Sequence, residues 1–149
     1  MTPERRNHIA GVAERARELA KKLRPDDTAF AEEMFVLGWL HDVGYALDTK
    51  ERHAAAGAAV LKRCGYAYWH EIADHGRYDV GAVSDALFVL DCADMTVDGY
   101  GRPCTTDGRI NDIAERYGKD SAAHAKALRV REFLRADPRF SRLFPEEDR

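Results

Sequence analysis

Apolar residues along the chain recur at steps of three and four, which is the spacing of amphipathic α-helices. The first row follows Thr2-Pro3, a cap and first-turn proline, and runs to Leu23. A second row runs from Phe30 to Leu40 after the break at Pro25. No stretch alternates apolar and polar residues for long enough to predict a strand. The pattern therefore predicts an all-α fold.

Caps, glycines and prolines divide the rest of the chain into further helices. They predict a third from Asp48 or Thr49 to about Cys64, a fourth over 68–75, a fifth over 80–95, a sixth from Thr106 or Asp107 to Gly118, and a seventh from Asp120 or Ser121 to near Asp137-Pro138. We therefore expect one domain over 1–149, a helical bundle of about six or seven helices with its C-terminal helices at 106–136. Phe140, Leu143 and Phe144 then dock on the domain or on a second copy, which leaves a homodimer open.

Composition and charge narrow the classes of partner. A chain of 149 residues suits a single domain with its own core. The net charge of −3 gives no basic footprint, so no nucleic-acid polymer is expected as a partner. Three dispersed cysteines and no Cys-x-x-Cys pair argue against a disulfide framework or zinc ribbon. No apolar run long enough for a membrane span and no signal core are visible, so we expect no membrane partner and a cytoplasmic location.

Polar residues stand where several apolar rows would place a core side chain. They are His41 after Phe30, Met34 and Leu37; Asp94 after Val80, Val83, Leu87 and Leu90; His75 after Tyr68 and Ile72; His53 before Gly57, Val60 and Cys64; and His8 before Val12. Taken singly, each has an ordinary interpretation as a hydrogen-bonded core histidine or a helix cap. Together they favour imidazole and carboxylate groups that converge on a divalent metal, because buried charges must be paired or metal-bound.

The adjacent residues His41 and Asp42 need an interpretation as a pair. Consecutive helical residues point about 100 degrees apart, so His41 and Asp42 reach one ion most easily at a helix end, where Gly44 places them.

Asp91 is the alternative to Asp94 as the late carboxylate. We prefer Asp94 because it extends the row of apolar residues that Asp91 only flanks.

The segment Leu37-Gly38-Trp39-Leu40-His41-Asp42-Val43-Gly44 resembles the signature of the HD superfamily of metal-dependent phosphohydrolases. The family order is a leading His, the His-Asp doublet and a late Asp within Ala-Asp. Here His8 precedes the doublet and Ala93-Asp94 follows it, so the motif core spans 8–94. The resemblance implies a helical HD-type domain that binds one or two divalent ions (Mn, Fe, Co, Ni, Mg or Zn).

Two further segments are similar to the branch of symmetrical dinucleoside tetraphosphate hydrolases. They are His53-Ala54-Ala55-Ala56-Gly57-Ala58 and Ile72-Ala73-Asp74-His75-Gly76. By this resemblance His8, His41, Asp42 and Asp94 hold one metal, Asp42 is the bridging and catalytic residue, and His53 and His75 complete a second site. Met95-Thr96-Val97-Asp98-Gly99 does not continue as in that branch. The loop after it, the Asp107-Gly108-Arg109 region and Arg116-Tyr117-Gly118 look more like small uncharacterised bacterial HD-domain proteins. The resemblance therefore implies the metal ligands of this protein more strongly than it implies the substrate.

The resemblance implies hydrolysis of a nucleotide or another small phosphate ester or anhydride by metal-activated water. A small phosphorylated metabolite is then the expected partner. Arg77, close to His75, and Lys50 and Arg52, just before His53, are the candidate phosphate contacts. Two other functions stay open. The same ligand set is similar to HD-type di-iron oxygenases, and a non-catalytic, metal-stabilised binding or regulatory module would also use it.

Overall fold

The computed structural model describes residues 1–47 and 52–147, which form eight α-helices, one short 3-10 helix and no strand. The helices are α1 (Pro3–Leu23), α2 (Thr28–Leu40), the 3-10 helix (Val43–Ala46), α3 (His53–Arg63), α4 (Trp69–Asp74), α5 (Asp85–Asp94), α6 (Thr106–Tyr117), α7 (Ala122–Arg135) and α8 (Pro138–Leu143). The all-α fold predicted from the sequence is thus confirmed.

The long helix α1 lies at the centre of the bundle. One of its faces is buried from His8 to Leu23, and it packs against α2, α5 and α8. Gly38 of α2 permits the closest of these approaches, because a Cβ there would lie 2.5 Å from the Ala13 Cα. This packing brings the C-terminal end of α2 against the first turns of α1.

The fifth helix begins at Asp85 and not at Val80 as predicted. Ser84 is its N-cap and accepts a hydrogen bond from the Leu87 backbone N–H. A serine cap followed by an acidic first residue is a strong start signal, and the apolar row through Val80 and Val83 obscured it. The third helix begins at His53, and its predicted caps Asp48 and Thr49 lie outside the described residues.

Residues 1–47 and 52–147 form eight α-helices, whereas the sequence predicts about six or seven. Asp137 and Pro138 end α7 but also start α8, because the Asp137 side chain accepts from the Arg139 backbone N–H and Pro138 occupies the first helical turn. The apolar residues near the C-terminus, Phe140, Leu143 and Phe144, are fully buried in the domain itself. No described helix is both long enough and apolar enough to cross a membrane.

Candidate metal centre

Six side chains that the sequence singles out come from six different positions in the helical framework. His8 lies on α1, His41 caps the C-terminus of α2, and Asp42 precedes the 3-10 helix. His53 opens α3, His75 caps the C-terminus of α4, and Asp94 ends α5. Five of the six therefore stand at helix ends, where a side chain can leave the helix surface and point into the space between helices.

The structure brings five of these six side chains together in two groups that share Asp42. One ligand atom each of His8, His41 and Asp42 lies within 4.8 Å of the others, and the same holds for Asp42, His53 and His75. Asp42 Oδ1 is 3.3 Å from His53 Nε2 and 3.4 Å from His75 Nε2. Asp42 Oδ2 is 3.4 Å from His41 Nε2. One carboxylate thus faces a different set of imidazoles with each oxygen.

Asp94 adjoins the first group, whereas Asp91 serves a different purpose. Asp94 Oδ1 lies 2.8 Å from His8 Nε2. Asp91 Oδ1 instead accepts a hydrogen bond from the Gly76 backbone N–H at 2.8 Å, and burial raises the pKa of the Asp91 carboxyl to about 7. Asp94 therefore lies against His8 but belongs to neither of the two groups, and Asp91 supports the loop after α4.

The rings of His8, His41 and His75 are each held from behind by a backbone carbonyl. The Nδ1 atoms of His8, His41 and His75 lie 2.9, 2.6 and 2.6 Å from the carbonyl oxygens of Asp98, Gly38 and Ile72. A carbonyl only accepts, so each Nδ1 carries a hydrogen and each ring turns its Nε2 towards the candidate ligands. This arrangement is the one that orients histidine ligands around metal ions.

The buried Nε2 of His41 tests whether these residues fit a metal. It has no hydrogen-bond partner, although the side chain is fully buried. Its nearest charged neighbour is an Asp42 oxygen, which also has only lone pairs to offer. Two acceptors that face one another in a buried space call for a cation between them. The donor set of imidazole nitrogen and carboxylate oxygen suits a first-row divalent ion.

The pKa shifts of the site residues also favour a cation at this site. Burial would raise the pKa of Asp42, but His41 and hydrogen bonds from His53 and His75 hold it well below the usual range. Burial lowers the pKa of His41. Burial also opposes the charged form of His75, yet its contact with Asp42 raises its pKa to about 9.

A cavity of about 420 Å³ opens beside His8. Its lining brings together cationic and aromatic side chains of α1, the 3-10 helix and α6, namely Arg5, Tyr45, Arg109, Arg116 and Tyr117. The sequence prediction missed Arg5 and Arg109. The available signal for Arg5 was its position three residues before His8, which puts both on one helix face.

The predicted phosphate contacts lie elsewhere or outside the described residues. The Arg77 guanidinium bonds Asp74 and Asp79 on the surface, and its side chain is 48% exposed. Arg52 is exposed immediately before α3, and Lys50 lies outside the described residues. Neither Arg77 nor Arg52 is among the described residues that line the cavity.

Fold and site together define an all-helical protein with a buried histidine and aspartate cluster able to hold a metal. The family model of the HD domain matches residues 5–121, and the chain therefore belongs to the HD-domain family. That range contains all six candidate ligands and the α6 arginines. No curated protein and no solved structure matches the chain significantly.

Proposed function

We propose that the protein is a metal-dependent phosphohydrolase that acts on a nucleotide or another small phosphate ester or anhydride. The observation that carries the proposal is the position of Asp42 between two groups of imidazoles. A carboxylate shared by two such groups is suited to hold one or two divalent ions. Membership of the HD-domain family supports the same class of reaction.

Each group of side chains has a defined part in this proposal. His8, His41, Asp42 and Asp94 would hold one ion, and Asp42, His53 and His75 a second. A bound divalent ion supplies Lewis-acid chemistry and lowers the pKa of a coordinated water to about 7. The carbonyls behind His8, His41 and His75 fix the three rings, so little reorganisation accompanies the reaction.

The surroundings of the site support a small substrate. The cavity of about 420 Å³ lies near the lower end of the roughly 300–1,000 Å³ range of small-molecule sites. Arg5 lies over the Tyr45 ring at 4.1 Å, and Tyr45 stacks on His53 at 4.3 Å. This stack places a fixed positive charge next to the candidate ligands, where it would favour an anionic substrate.

Metal analysis combined with a phosphate-release screen tests the proposal. The protein is stripped with a chelator and reloaded with manganese, cobalt, nickel or iron. It is then assayed on mononucleotides, dinucleoside polyphosphates and cyclic dinucleotides. We expect stoichiometric metal and phosphate release that Asp42→Asn abolishes. Asp85→Asn, an aspartate at the start of α5 that pairs with Arg24 and Arg139, is the matched control and should retain activity.

Two outcomes would overturn the proposal. The first is the absence of phosphate release from all three substrate classes by the metal-loaded protein. The second is oxygen consumption by the iron(II)-loaded protein without phosphate release, which would favour the oxygenase.

A further inference from the structure

The cavity beside His8 has two guanidinium groups next to the two carboxylates of the first candidate metal group. Arg5 Nη1 lies 2.8 Å from Asp42 Oδ2, and Arg109 Nη2 lies 3.9 Å from Asp94 Oδ1. Both arginines line the cavity. We propose that Arg5 and Arg109 form an oxyanion-binding pair that receives the phosphoryl group of the substrate on the cavity side of the metal centre. The proposal rests on the proposed function for the identity of the oxyanion as a substrate.

Arg109 is held in a fixed orientation from α6. Its Nη1 donates to Asp112 Oδ2 at 2.6 Å, and its side chain is only 12% exposed. Its Nε is buried without a hydrogen-bond partner. A guanidinium held in a fixed orientation is suited to a tetrahedral oxyanion, because arginine binds phosphate through paired N–H groups.

The single carboxylate of Asp112 bonds two guanidinium groups. It accepts from Arg109 on one oxygen and from Arg116 Nε at 2.9 Å on the other, and Oδ2 also accepts from the Gly99 backbone N–H at 3.0 Å. One carboxylate therefore orients two guanidinium groups on the cavity wall. Glu4 also lines the cavity, so the proposal depends on the orientation of these guanidinium groups and not on an excess of positive charge.

Arg5 supplies the second half of the pair from α1. A guanidinium has five N–H donors, and the bond to Asp42 occupies one of them. The position over the Tyr45 ring fixes the plane of the group. When a metal ion neutralises Asp42, the attraction that holds Arg5 to this carboxylate weakens, so its charge becomes more available to an oxyanion in the cavity.

Binding of inorganic phosphate measures this pair without catalysis. Isothermal titration of manganese-loaded protein with phosphate compares the wild type with Arg109→Gln, and metal content is determined on the same samples. We expect Arg109→Gln to bind phosphate at least about tenfold more weakly, since it loses charge-assisted hydrogen bonds. Its manganese content should stay unchanged.

Arg131→Gln is the matched control. Arg131 lies on α7, bonds Asp107 at 2.6 Å as Arg109 bonds Asp112, and is not among the residues that line the cavity. We expect it to bind phosphate like the wild type. Arg109→Lys keeps the charge but not the fork, so its affinity should lie between those of Arg109→Gln and the wild type. Arg109→Lys also tests the proposal if Arg109→Gln does not fold.

Wild-type affinity for phosphate in both Arg109→Lys and Arg109→Gln would overturn the proposal. A loss of phosphate affinity in Arg131→Gln as large as that in Arg109→Gln would also overturn it. Phosphate binding that depends on Arg109 in a protein that hydrolyses no ester supports the pair and contradicts only the proposed function. Hydrolysis that is unaffected by both Arg109 variants overturns the pair and leaves the proposed function standing.

Discussion

Replacement of His41 by leucine separates the role of this residue in metal binding from its role in the fold. The His41 side chain is fully buried, donates from Nδ1 to the Gly38 carbonyl and leaves Nε2 unpaired. An unpaired buried polar atom costs about 1–3 kcal/mol, whereas a normal hydrogen bond contributes about 1 kcal/mol. Leucine removes both effects but leaves the Gly38 carbonyl without this donor, so the gain and the loss offset one another in part. The metal-free variant should therefore unfold with a free energy within about 2 kcal/mol of the wild type.

The metal-loaded proteins should differ much more. A ligand at 100 times its Kd stabilises the folded state by about 2.7 kcal/mol. In a domain of this size that corresponds to a rise in Tm of roughly 5–11 °C. The wild type should show a rise of this size with metal. His41→Leu should lose most of it, because the first group of candidate ligands then lacks one of its imidazoles.

Thermal unfolding in chelator and in manganese measures both quantities on the same samples. His70→Leu is the control, because His70 is an exposed histidine on α4 that belongs to neither ligand group. It should keep the full metal-dependent rise in Tm. A rise in His41→Leu equal to that of the wild type would refute the assignment of His41 as a ligand. A loss of more than about 4 kcal/mol in chelator would refute the argument from the unpaired nitrogen.

Two further predictions concern the framework. A Cβ on Gly44 would lie 1.7 Å from the His53 backbone oxygen, so Gly44→Ala should lower the free energy of unfolding by more than about 2 kcal/mol in urea titrations and reduce metal content. For Asp85, burial raises the pKa, but hydrogen bonds from Arg139 and Arg24 outweigh it and lower the pKa. The ionised carboxylate therefore stabilises the fold above the ordinary pKa of about 3.9, and this contribution is lost as the pH falls. Asp85→Asn should thus cost about 1 kcal/mol at neutral pH in urea unfolding, and a difference from the wild type that persists or grows in acid would contradict this reasoning.

The candidate ligands could be predicted from the sequence because they interrupt periodic apolar rows. The case of Asp94 shows how far this reasoning reaches. Its predicted row included Val80 and Val83, which lie outside α5, yet Leu87 and Leu90 are helical and lie two turns and one turn before Asp94, respectively. The part of the row nearest the ligand was sufficient, because helical periodicity relates only residues in the same helix.

The arginines of the cavity could not be predicted in the same way. Arg5 and Arg109 belong to the polar faces of their helices, where arginine is an ordinary surface residue. Their significance depends on the tertiary arrangement by which α1 and α6 line the same cavity, and no local sequence pattern encodes it. Arg77, in contrast, was predicted from the sequence as a phosphate contact but does not line the cavity. It stands next to His75 in sequence, but the turn after α4 directs its guanidinium to Asp74 and Asp79.

The ends of α2 and α4 orient their histidines by the same device. His41 bonds the carbonyl of Gly38, and His75 bonds that of Ile72, in each case three residues earlier and at 2.6 Å. The last carbonyls of a helix lack intrahelical partners, so an imidazole directly after the helix can donate its Nδ1 hydrogen to one of them. That bond turns Nε2 away from the helix and towards Asp42. A buried apolar row that ends in a C-terminal histidine therefore both satisfies the helix end and presents a ligand. The occurrence of this arrangement on two helices that face the same carboxylate is hard to explain by the needs of the fold alone, because either helix end could be satisfied by a glycine-based cap without burial of an imidazole.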